Sequence, residues 1–418
     1  MTLTDASRDG PGLDAISFTD PEIQVCPFET YRRLHADRRV HRDPVTGFWE
    51  VLRYEDQRAI AQNPALYSSE HMLYGEKTHS PAYEEMKRMY EEEGYPNIPT
   101  LINADEPVHR KNRNLVDASF RAPRVKALEP YIRELVVKLI DDWGDASEVE
   151  FMAQFALLLP LYVISDTIGV PRDRALDFKR WSDALIAVTD PAKPKDEQIA
   201  LTRVVIEMHR FFAEAYEAAR EAPGENILGD LVRGEIDGQP VSTRLAVHLL
   251  SSILVAGNET TTAMLGSAML RLIETPGLEE MLRAAPERIP DFIEESLRLE
   301  APLPCQFRRN VEEVAFDDAV IPKDSLIVLR FGAGNRDPHH YPEPDAFDIE
   351  RGSLRQHLTF GSGIHMCVGH LLARAELRIA FEELLMQFRN FALLGEPRRE
   401  PSYIAYGPRT LPIRFHRP

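Results

Sequence analysis

Residues 360–369 form the stretch of the sequence best suited to chemistry, reading FGSGIHMCVG, with Cys367 near its end. Glycine lacks a Cβ and tolerates positive φ, so this backbone can approach a ligand closely. From Val368 to about Phe388 apolar residues recur at helical spacing, which places Cys367 at the start of a helix. The N–H groups and dipole of a helix N-terminus favour an anion, so we expect Cys367 to be partly or wholly thiolate.

A thiolate held by such a loop suits a soft metal in a wide cofactor, and haem iron with a cysteine axial ligand fits best. Three other interpretations stay open at this point. Cys367 also fits a small buried hydrophobe, part of a zinc site with His365 and His370, or a catalytic nucleophile beside a histidine base. No fourth zinc ligand with finger-like spacing follows, and the length of the motif favours haem.

A second chemical pattern lies inside the longest apolar helical stretch, which runs from Val241 to about Glu274. Residues 256–262 read AGNETTT. Glycine is a poor helix former, and threonine side chains can bond back to carbonyls one turn earlier. Glu259, if buried there, costs free energy unless it is used or paired. The segment therefore indicates a polar functional site inside a core helix.

The 360–369 loop resembles the haem-binding signature of the cytochromes P-450, the haem-thiolate monooxygenases. The resemblance runs over nearly the whole chain and is strongest to soluble bacterial members. It implies a mainly α fold with small β-sheets (α+β), in which haem lies between the long central helix and the helix after the cysteine loop. We expect a flexible N-terminal arm over 1–17 and a single catalytic domain over 18–418.

The resemblance also implies roles for individual residues. Cys367 is the metal ligand, and Glu259 and Thr260 are the catalytic pair that delivers protons to dioxygen. The other residues expected to bind the cofactor, haem b, are His109, Arg113, Arg308, His365, Phe360, Gly361, Gly369, Ala256 and Gly257. Among these, Ala256 and Gly257 are expected to leave room over the iron, and His109, Arg113, Arg308 and His365 to hold the propionates, with Arg309 able to replace Arg308.

Glu295 and Arg298 match the E-x-x-R of the family, a buried structural salt bridge. A second arginine normally completes it in a later P-x-R-F segment. Here 344–347 reads PDAF, with alanine in the place of arginine, so Arg336 or Arg351 is expected to substitute. Apolar residues aligned with the substrate pocket are Leu101, Ile102, Ile253, Leu303, Cys305 and Ile404, for which core packing is the alternative. We expect Cys305 to be an inert thiol.

The implied activity is O2 activation with two electrons from a separate partner, a ferredoxin with its NAD(P)H-dependent ferredoxin reductase. The substrate would be a small lipophilic molecule that is hydroxylated or epoxidised. Alternatives are a peroxide-using haem-thiolate peroxygenase, a non-enzymatic haem-binding sensor and a zinc-dependent hydrolase. A basic cluster, with further arginines beside the cysteine loop, is the expected docking surface for an acidic donor, with a solvated basic face as the alternative: Arg110, Lys111, Arg121, Arg124, Lys126, Arg355, Arg374 and Arg378.

Composition narrows the cellular setting. A net charge of −18 over 418 residues argues against nucleic-acid binding. Three cysteines do not make a disulfide framework, which favours a reducing compartment. The longest apolar run, Ala156 to Ile164, is too short to span a bilayer. We therefore expect a cytoplasmic protein without a membrane anchor.

Periodicity predicts helices over 128–143, 151–168, 173–188, 197–222, 241–274 and 290–299. It also predicts β-hairpins over 41–54 and 403–415, the second turning at Gly407-Pro408, and strands over 311–316 and 326–331. The charged segment 68–105 reads as a long irregular connection of the kind used as a lid, with a helix over 81–93 as the alternative.

Overall fold

The computed structural model describes residues 12–70, 80, 82–188, 193–317 and 319–417. The chain divides into two compact units. The first contains Met1–Ser68, Glu294–Met366 and Arg399–Gly407, and the second contains Ser69–Ile293, Cys367–Arg398 and Pro408–Pro418. The single catalytic domain over 18–418 stays a prediction.

The helices dominate the described chain. In chain order they are α1 (Pro21–Val25), α2 (Phe28–His35), α3 (Tyr54–Ala61), α4 (Tyr83–Glu92), α5 (Val108–Phe120), α6 (Ala122–Asp141), α7 (Leu158–Ile168), α8 (Ala175–Ala187), α9 (Lys195–Glu221), α10 (Ile227–Arg233), α11 (Thr243–Glu274), α12 (Leu278–Ala284), α13 (Ile289–Leu299), α14 (Phe331–Gly334) and α15 (His370–Gln387). A π-helical segment, Met152–Ala156, precedes α7, so the helix predicted over 151–168 is split.

The strands are short. They are β1 (Val40–Arg42), β2 (Trp49–Val51), β3 (Tyr67–Ser68), β4 (Glu148–Glu150), β5 (Glu235–Ile236), β6 (Gln239–Pro240), β7 (Gln306–Asn310), β8 (Val314–Phe316), β9 (Ala319–Ile321), β10 (Leu326–Leu329), β11 (Arg389–Leu393) and β12 (Pro412–His416). The architecture is therefore mainly α with small sheets, as the sequence predicts.

The first unit is built on a five-stranded sheet in the order β1-β2-β10-β7-β3. β1 and β2 form the predicted hairpin, in which Val40 faces Val51. The buried face of the sheet packs an apolar cluster that includes Val51, Ile327 and Leu329. Because each strand alternates side chains between faces, the register places Val51, Ile327 and Leu329 on the same buried face.

The second unit is organised around α11. Its N-cap is Ser242, whose side chain accepts a hydrogen bond from the Leu245 amide, and it runs for 32 residues. At 1.5 Å per residue the helix is about 48 Å long. It packs against α7, α8, α9 and α15, and α15 packs in turn against α6. The all-round apolar pattern predicted this central position, because a helix without a polar face is buried.

The C-terminal hairpin predicted over 403–415 is wrong. β12 pairs with β11 and β4 in a three-stranded sheet instead. The Tyr406 amide donates to the Pro302 carbonyl within the first unit. Alternation of apolar residues identifies a strand but not its partner, and here the partner strands come from earlier in the chain.

Two other boundaries differ from expectation. The first part of the predicted N-terminal arm, 1–11, lies outside the described residues. Ile16 and Ser17 are buried, and the Ser17 hydroxyl donates to Asp43 at 3.0 Å, so the packed chain begins before residue 18. Within 68–105, helix α4 occupies most of 81–93. Among the described helices, none combines the length and the apolar content that a membrane crossing requires.

Candidate active site

The cysteine loop uses its glycines for close approach and unusual φ. Gly361 and Gly363 have φ of +70° and +73°. A Cβ on Gly363 would lie 2.3 Å from the carbonyl oxygen of Ala61, at the end of α3. The loop therefore needs glycine at both positions. It delivers Cys367 three residues before α15 begins at His370, as the sequence predicts.

The thiol of Cys367 is accessible and yet largely surrounded by protein. The residue is exposed. Nevertheless, burial raises the pKa of its thiol above the ordinary value, against the opposing effects of the Gly369 and His370 amides and of Arg113 and Arg374. The expectation of a thiolate is therefore wrong for the chain alone, because desolvation outweighs the N–H groups and the two cations.

Helix α11 has an accessible stripe along its middle part, where several neighbouring side chains are buried. Ala256 is exposed, and Ser252, Thr260 and Ala263, about one turn apart on the same face, are partly exposed. The Thr260 hydroxyl donates to the Ala256 carbonyl at 2.8 Å, the back-bond expected for threonine in a helix. The expected room beside the small residue is therefore present at Ala256.

Gly257 has a packing role in addition to the one expected. A Cβ there would lie 2.8 Å from the side chain of Ile164 on α7. Gly257 thus allows α11 and α7 to approach closely, whereas Ala256 lies on the accessible stripe. The place of both residues over the iron stays a prediction, which the exposure of Ala256 supports and to which the close packing of Gly257 adds a structural role.

Glu259 is held by two cations that the sequence analysis missed. Its carboxylate lies 3.2 Å from the Lys179 ammonium on α8 and 3.6 Å from the Arg409 guanidinium. The Glu259 side chain is 15% exposed. A mostly buried carboxylate needs a cation or hydrogen-bond donors to compensate its charge, so the sequence could indicate that Glu259 has partners. It could not identify them, because Lys179 and Arg409 are distant in sequence and belong to no motif.

The predicted propionate residues fall into two sets. In the second unit, His109 is buried on α5, and Arg113 lies one turn later on the same helix, where its Nε donates to Asp117 at 2.8 Å. Arg113 is close enough to lower the pKa of Cys367, so it lies beside the thiol. Of the predicted set, the second unit thus brings together Cys367, Gly369 and Arg113.

In the first unit, Arg308 is buried on β7 and donates to the Phe307 carbonyl at 2.6 Å. The neighbouring Arg309 is more exposed and pairs with Asp324 at 2.5 Å. A surface ion pair occupies Arg309, which leaves Arg308 as the buried arginine of the two. His365 is partly exposed at the end of a short 3-10 helix, and Phe360 ends another.

The E-x-x-R pair is a fully buried network. Glu295 and Arg298 are each 0% exposed and share two hydrogen bonds of 2.7 and 2.8 Å. Arg298 also donates to the carbonyls of Asn335 and Pro344. Arg351 lies 3.4 Å from Glu295 and completes the network, whereas Arg336 pairs with Asp345. One of the two expected substitutes, Arg351, therefore replaces the missing arginine.

Two predicted pocket residues are packed in the core. Ile253 and Cys305 are buried, which agrees with the core-packing alternative, and their place in a pocket lining stays a prediction. The Cys305 thiol donates to the Tyr403 carbonyl at 3.5 Å, and burial raises its pKa to about 12, so it is inert as expected. Leu101, Leu303 and Ile404 are partly exposed and Ile102 is exposed, so these four stay predictions.

The zinc interpretation finds no ligand set. Among the described residues, no group of three or more His, Cys, Asp or Glu side chains could hold a metal ion. The donor set around Cys367 fits haem better: one accessible sulfur, two backbone N–H donors aimed at it and two nearby arginines. The accessible stripe of α11 belongs to the same unit as this sulfur.

Comparison with known proteins gives the class. The sequence model of the Cytochrome P450 family matches residues 65–403. Cytochrome P450 107B1 of Saccharopolyspora erythraea is 34% identical over 412 residues, or 96% of this chain and 98% of that protein. Linalool 8-monooxygenase of Pseudomonas putida is 30% identical over 397 residues, or 94% of this chain and 97% of that protein. The solved structure of cytochrome P450 CYP109Q5 from Chondromyces apiculatus has a TM-score of 0.85 at 30% identity, covering 97% of this chain and 100% of that chain.

The chain belongs to the cytochrome P450 family. It is a cytochrome P450 monooxygenase with the P450 fold, and its family uses haem as cofactor and O2 as co-substrate.

Proposed function

We propose that this monooxygenase takes two electrons, one at a time, from a separate ferredoxin served by an NAD(P)H-dependent ferredoxin reductase. It hydroxylates or epoxidises a small lipophilic substrate and acts in the cytoplasm. The observation that carries the proposal is on α11. There an accessible Ala256 and Thr260 adjoin a glutamate with two cations, in the same unit as Cys367.

Cys367 is the proposed axial ligand of haem b. Haem with a thiolate ligand supplies O2 activation, since the thiolate donates electron density that favours O–O cleavage. Phe360, Gly361 and Gly369 shape the loop that presents the sulfur. Burial raises the pKa of the Cys367 thiol in the chain alone, and a bound metal would favour its deprotonated form.

His109, Arg113, Arg308 and His365 are the proposed partners of the two haem propionates. Cations and N–H donors are the groups that carboxylates require. Arg113 is the best supported of the four, because its charge acts on the sulfur of Cys367. In binding a propionate it would exchange its present carboxylate partner, Asp117, for another carboxylate.

Thr260 and Glu259 are the proposed proton pathway. The Thr260 hydroxyl lies on the accessible stripe, where its bond to the Ala256 carbonyl fixes its position. Glu259 lies next to it in sequence, and its charge is compensated by Lys179 and Arg409. At 3.2 and 3.6 Å both contacts are long for charge-assisted hydrogen bonds, so Glu259 can exchange partners without leaving a tight pair.

The substrate proposal rests on accessible apolar side chains. Ile102 is exposed, and Leu101, Leu303 and Ile404 are partly exposed. Apolar side chains that stay accessible favour a lipophilic ligand, because binding removes them from water. One similar protein is named for monooxygenation of linalool at position 8, which supports the same class of small organic substrate here.

Electron delivery is proposed to use basic residues. Several of them have acidic partners: Lys111 pairs with Asp237 at 2.5 Å, and Arg378 pairs with Glu129 at 2.9 Å. An acidic ferredoxin would compete with these surface acids, whose pairing is weak in water. We expect salt to slow reduction, because screening weakens attraction between exposed charges.

The proton pathway is tested with Thr260→Ala and, as matched control, Thr262→Ala. Thr262 also bonds back to position 258, through the Asn258 side chain at 3.3 Å. Thr260→Ala should keep haem and divert electrons to peroxide, lowering product formed per NAD(P)H by about tenfold, which corresponds to about 1.4 kcal/mol in the partition between the two products. Thr262→Ala should match the wild type. Unchanged product yield in Thr260→Ala would contradict the pathway.

A further inference from the structure

A buried glutamate–histidine pair lies directly beside the E-x-x-R network. The carboxylate of Glu294, on α13, lies 3.1 Å from Nε2 of His357. Both side chains are almost completely buried, 4% and 1% exposed. Glu294 directly precedes Glu295, the glutamate of the E-x-x-R motif, and has no motif of its own. The two adjacent glutamates anchor different segments, since Glu295 accepts from Arg298 and from the Asp348 amide.

His357 begins the segment that leads to the cysteine loop. It precedes the short helix Leu358–Phe360, and its ring centroid lies 5.8 Å from that of Phe360. A turn of chain then follows, in which the Gly361 amide donates to the Leu358 carbonyl at 2.7 Å. The contacts of the His357 side chain therefore help to fix the position of the chain at the start of the glycine loop.

Two further bonds hold the same segment. The Thr359 hydroxyl donates to the Leu297 carbonyl on α13 at 2.7 Å. Asn335 accepts from the Leu358 amide at 2.6 Å and donates to the Thr359 hydroxyl at 2.9 Å. Together with Glu294–His357, these bonds tie residues 357–359 to α13 and to the end of α14. We call residues 357–359 the anchor segment.

We propose that Glu294 and His357 are positioning residues that hold the cysteine loop in the geometry for thiolate ligation. Their contact joins two ionisable side chains. A hydrogen bond in which one partner is ionised is roughly twice as strong as a neutral one. The pair therefore resists displacement of the loop more strongly than the Thr359 bond does. The inference rests on the proposed ligation of haem by Cys367.

The decisive variant separates stability from positioning. His357→Leu alone leaves Glu294 buried without its imidazole, so it should destabilise the fold. The double variant Glu294→Leu, His357→Leu removes both partners, and such replacements are often neutral for stability. The double variant should therefore unfold at close to the wild-type urea concentration while lacking the tether. His35→Gln is the matched control, because His35 is a buried histidine of the same unit whose ring contacts the Ala333 carbonyl at 3.0 Å.

Two readouts follow the loop. In the haem-free chain, hydrogen exchange of the Leu358 and Gly361 amides should be about tenfold faster in the double variant, which corresponds to about 1.4 kcal/mol. In the haem-loaded protein, the reduced carbonyl complex should show the band at about 450 nm that is typical of thiolate ligation. This band should decay faster in the double variant at a low urea concentration. His35→Gln should change neither rate.

The outcomes distinguish this inference from the proposed function. Faster exchange and faster loss of the band in a stable double variant support the positioning role. Wild-type rates for both in the double variant would overturn it and leave the pair as a purely structural contact. A wild-type protein that never shows the band would overturn ligation by Cys367, and exchange in the haem-free chain would still report on the tether.

Discussion

Two glutamates of this molecule are each held by two cations, and their surroundings differ. Glu295 is 0% exposed, bonds Arg298 at 2.7 Å and also accepts the Asp348 amide. Glu259 is 15% exposed, and its contacts to Lys179 and Arg409 are 3.2 and 3.6 Å. Arg409 is itself 45% exposed. The first arrangement holds chain segments together permanently, and the second leaves an acid with partners it can exchange.

The difference shows that the role of an ion pair depends on its burial and contact distances and not only on its residue types. A closed, buried network cannot lose one partner without leaving a charge in a medium of low polarity. A looser cluster in contact with water loses little when one contact opens. The first kind suits the support of a ligand loop, and the second suits a residue that must move protons.

The largest effect is expected at the closed network. Arg298→Leu should lower the free energy of unfolding by about 3–5 kcal/mol, because it leaves Glu295 buried with the Asp348 amide and the longer Arg351 contact, which do not replace the two bonds to Arg298. Urea unfolding followed by circular dichroism measures this. Arg309→Leu, which removes an exposed pair with Asp324, is the control and should cost no more than about 1 kcal/mol. Equal losses for the two variants would erase the proposed contrast.

A much smaller effect on stability is expected at the looser cluster. Lys179→Met and Arg409→Met should each change the free energy of unfolding by less than about 1 kcal/mol. Each should lower the product formed per electron by roughly two- to fivefold, the factor that up to about 1 kcal/mol represents, because Glu259 loses one of the groups that place it. A loss of stability as large as that of Arg298→Leu, with unchanged product yield, would make the cluster structural.

The smallest expected effect is the number of protons released when haem binds to Cys367. Its raised pKa keeps the thiol protonated at pH 7, so haem binding should release about one proton, which Cys367→Ala should not. The pKa of the Cys367 thiol is higher in the folded chain than in the unfolded chain, where it is about 8.5. Below that pH the thiol does not change the free energy of unfolding, and above it the thiol destabilises the haem-free fold. Calorimetry in buffers of different ionisation enthalpy measures the release. No release at pH 7 would show that the thiolate forms before the metal arrives.

The sequence was most informative where chemistry and backbone geometry coincide. The glycine loop identified Cys367 as a candidate ligand. Positive φ at Gly361 and Gly363, and the close approach of Gly363 to Ala61, restrict these positions to glycine. The all-apolar pattern predicted α11, and its three threonines predicted the back-bond of Thr260. These features depend on residues close together in the chain.

Long-range partners were beyond the sequence. Nothing local identifies Lys179 and Arg409 as the partners of Glu259, or decides between Arg336 and Arg351 for Glu295, since those contacts depend on packing between distant segments. The C-terminal strand was predicted with the wrong partner, as half of a hairpin over 403–415, for the same reason. The protonation state of Cys367 was misjudged because the helix N-terminus was weighed without the desolvation that only the packed chain reveals.

The most direct test of the account is the spectrum of Cys367→Ser after reconstitution with hemin, reduction and addition of carbon monoxide. The wild type should show the band at about 450 nm. The serine variant should bind haem but should lack this band, because it has no thiolate ligand. Retention of that band in Cys367→Ser, or a wild-type protein that takes up no haem, would contradict the assignment of Cys367 as the axial ligand.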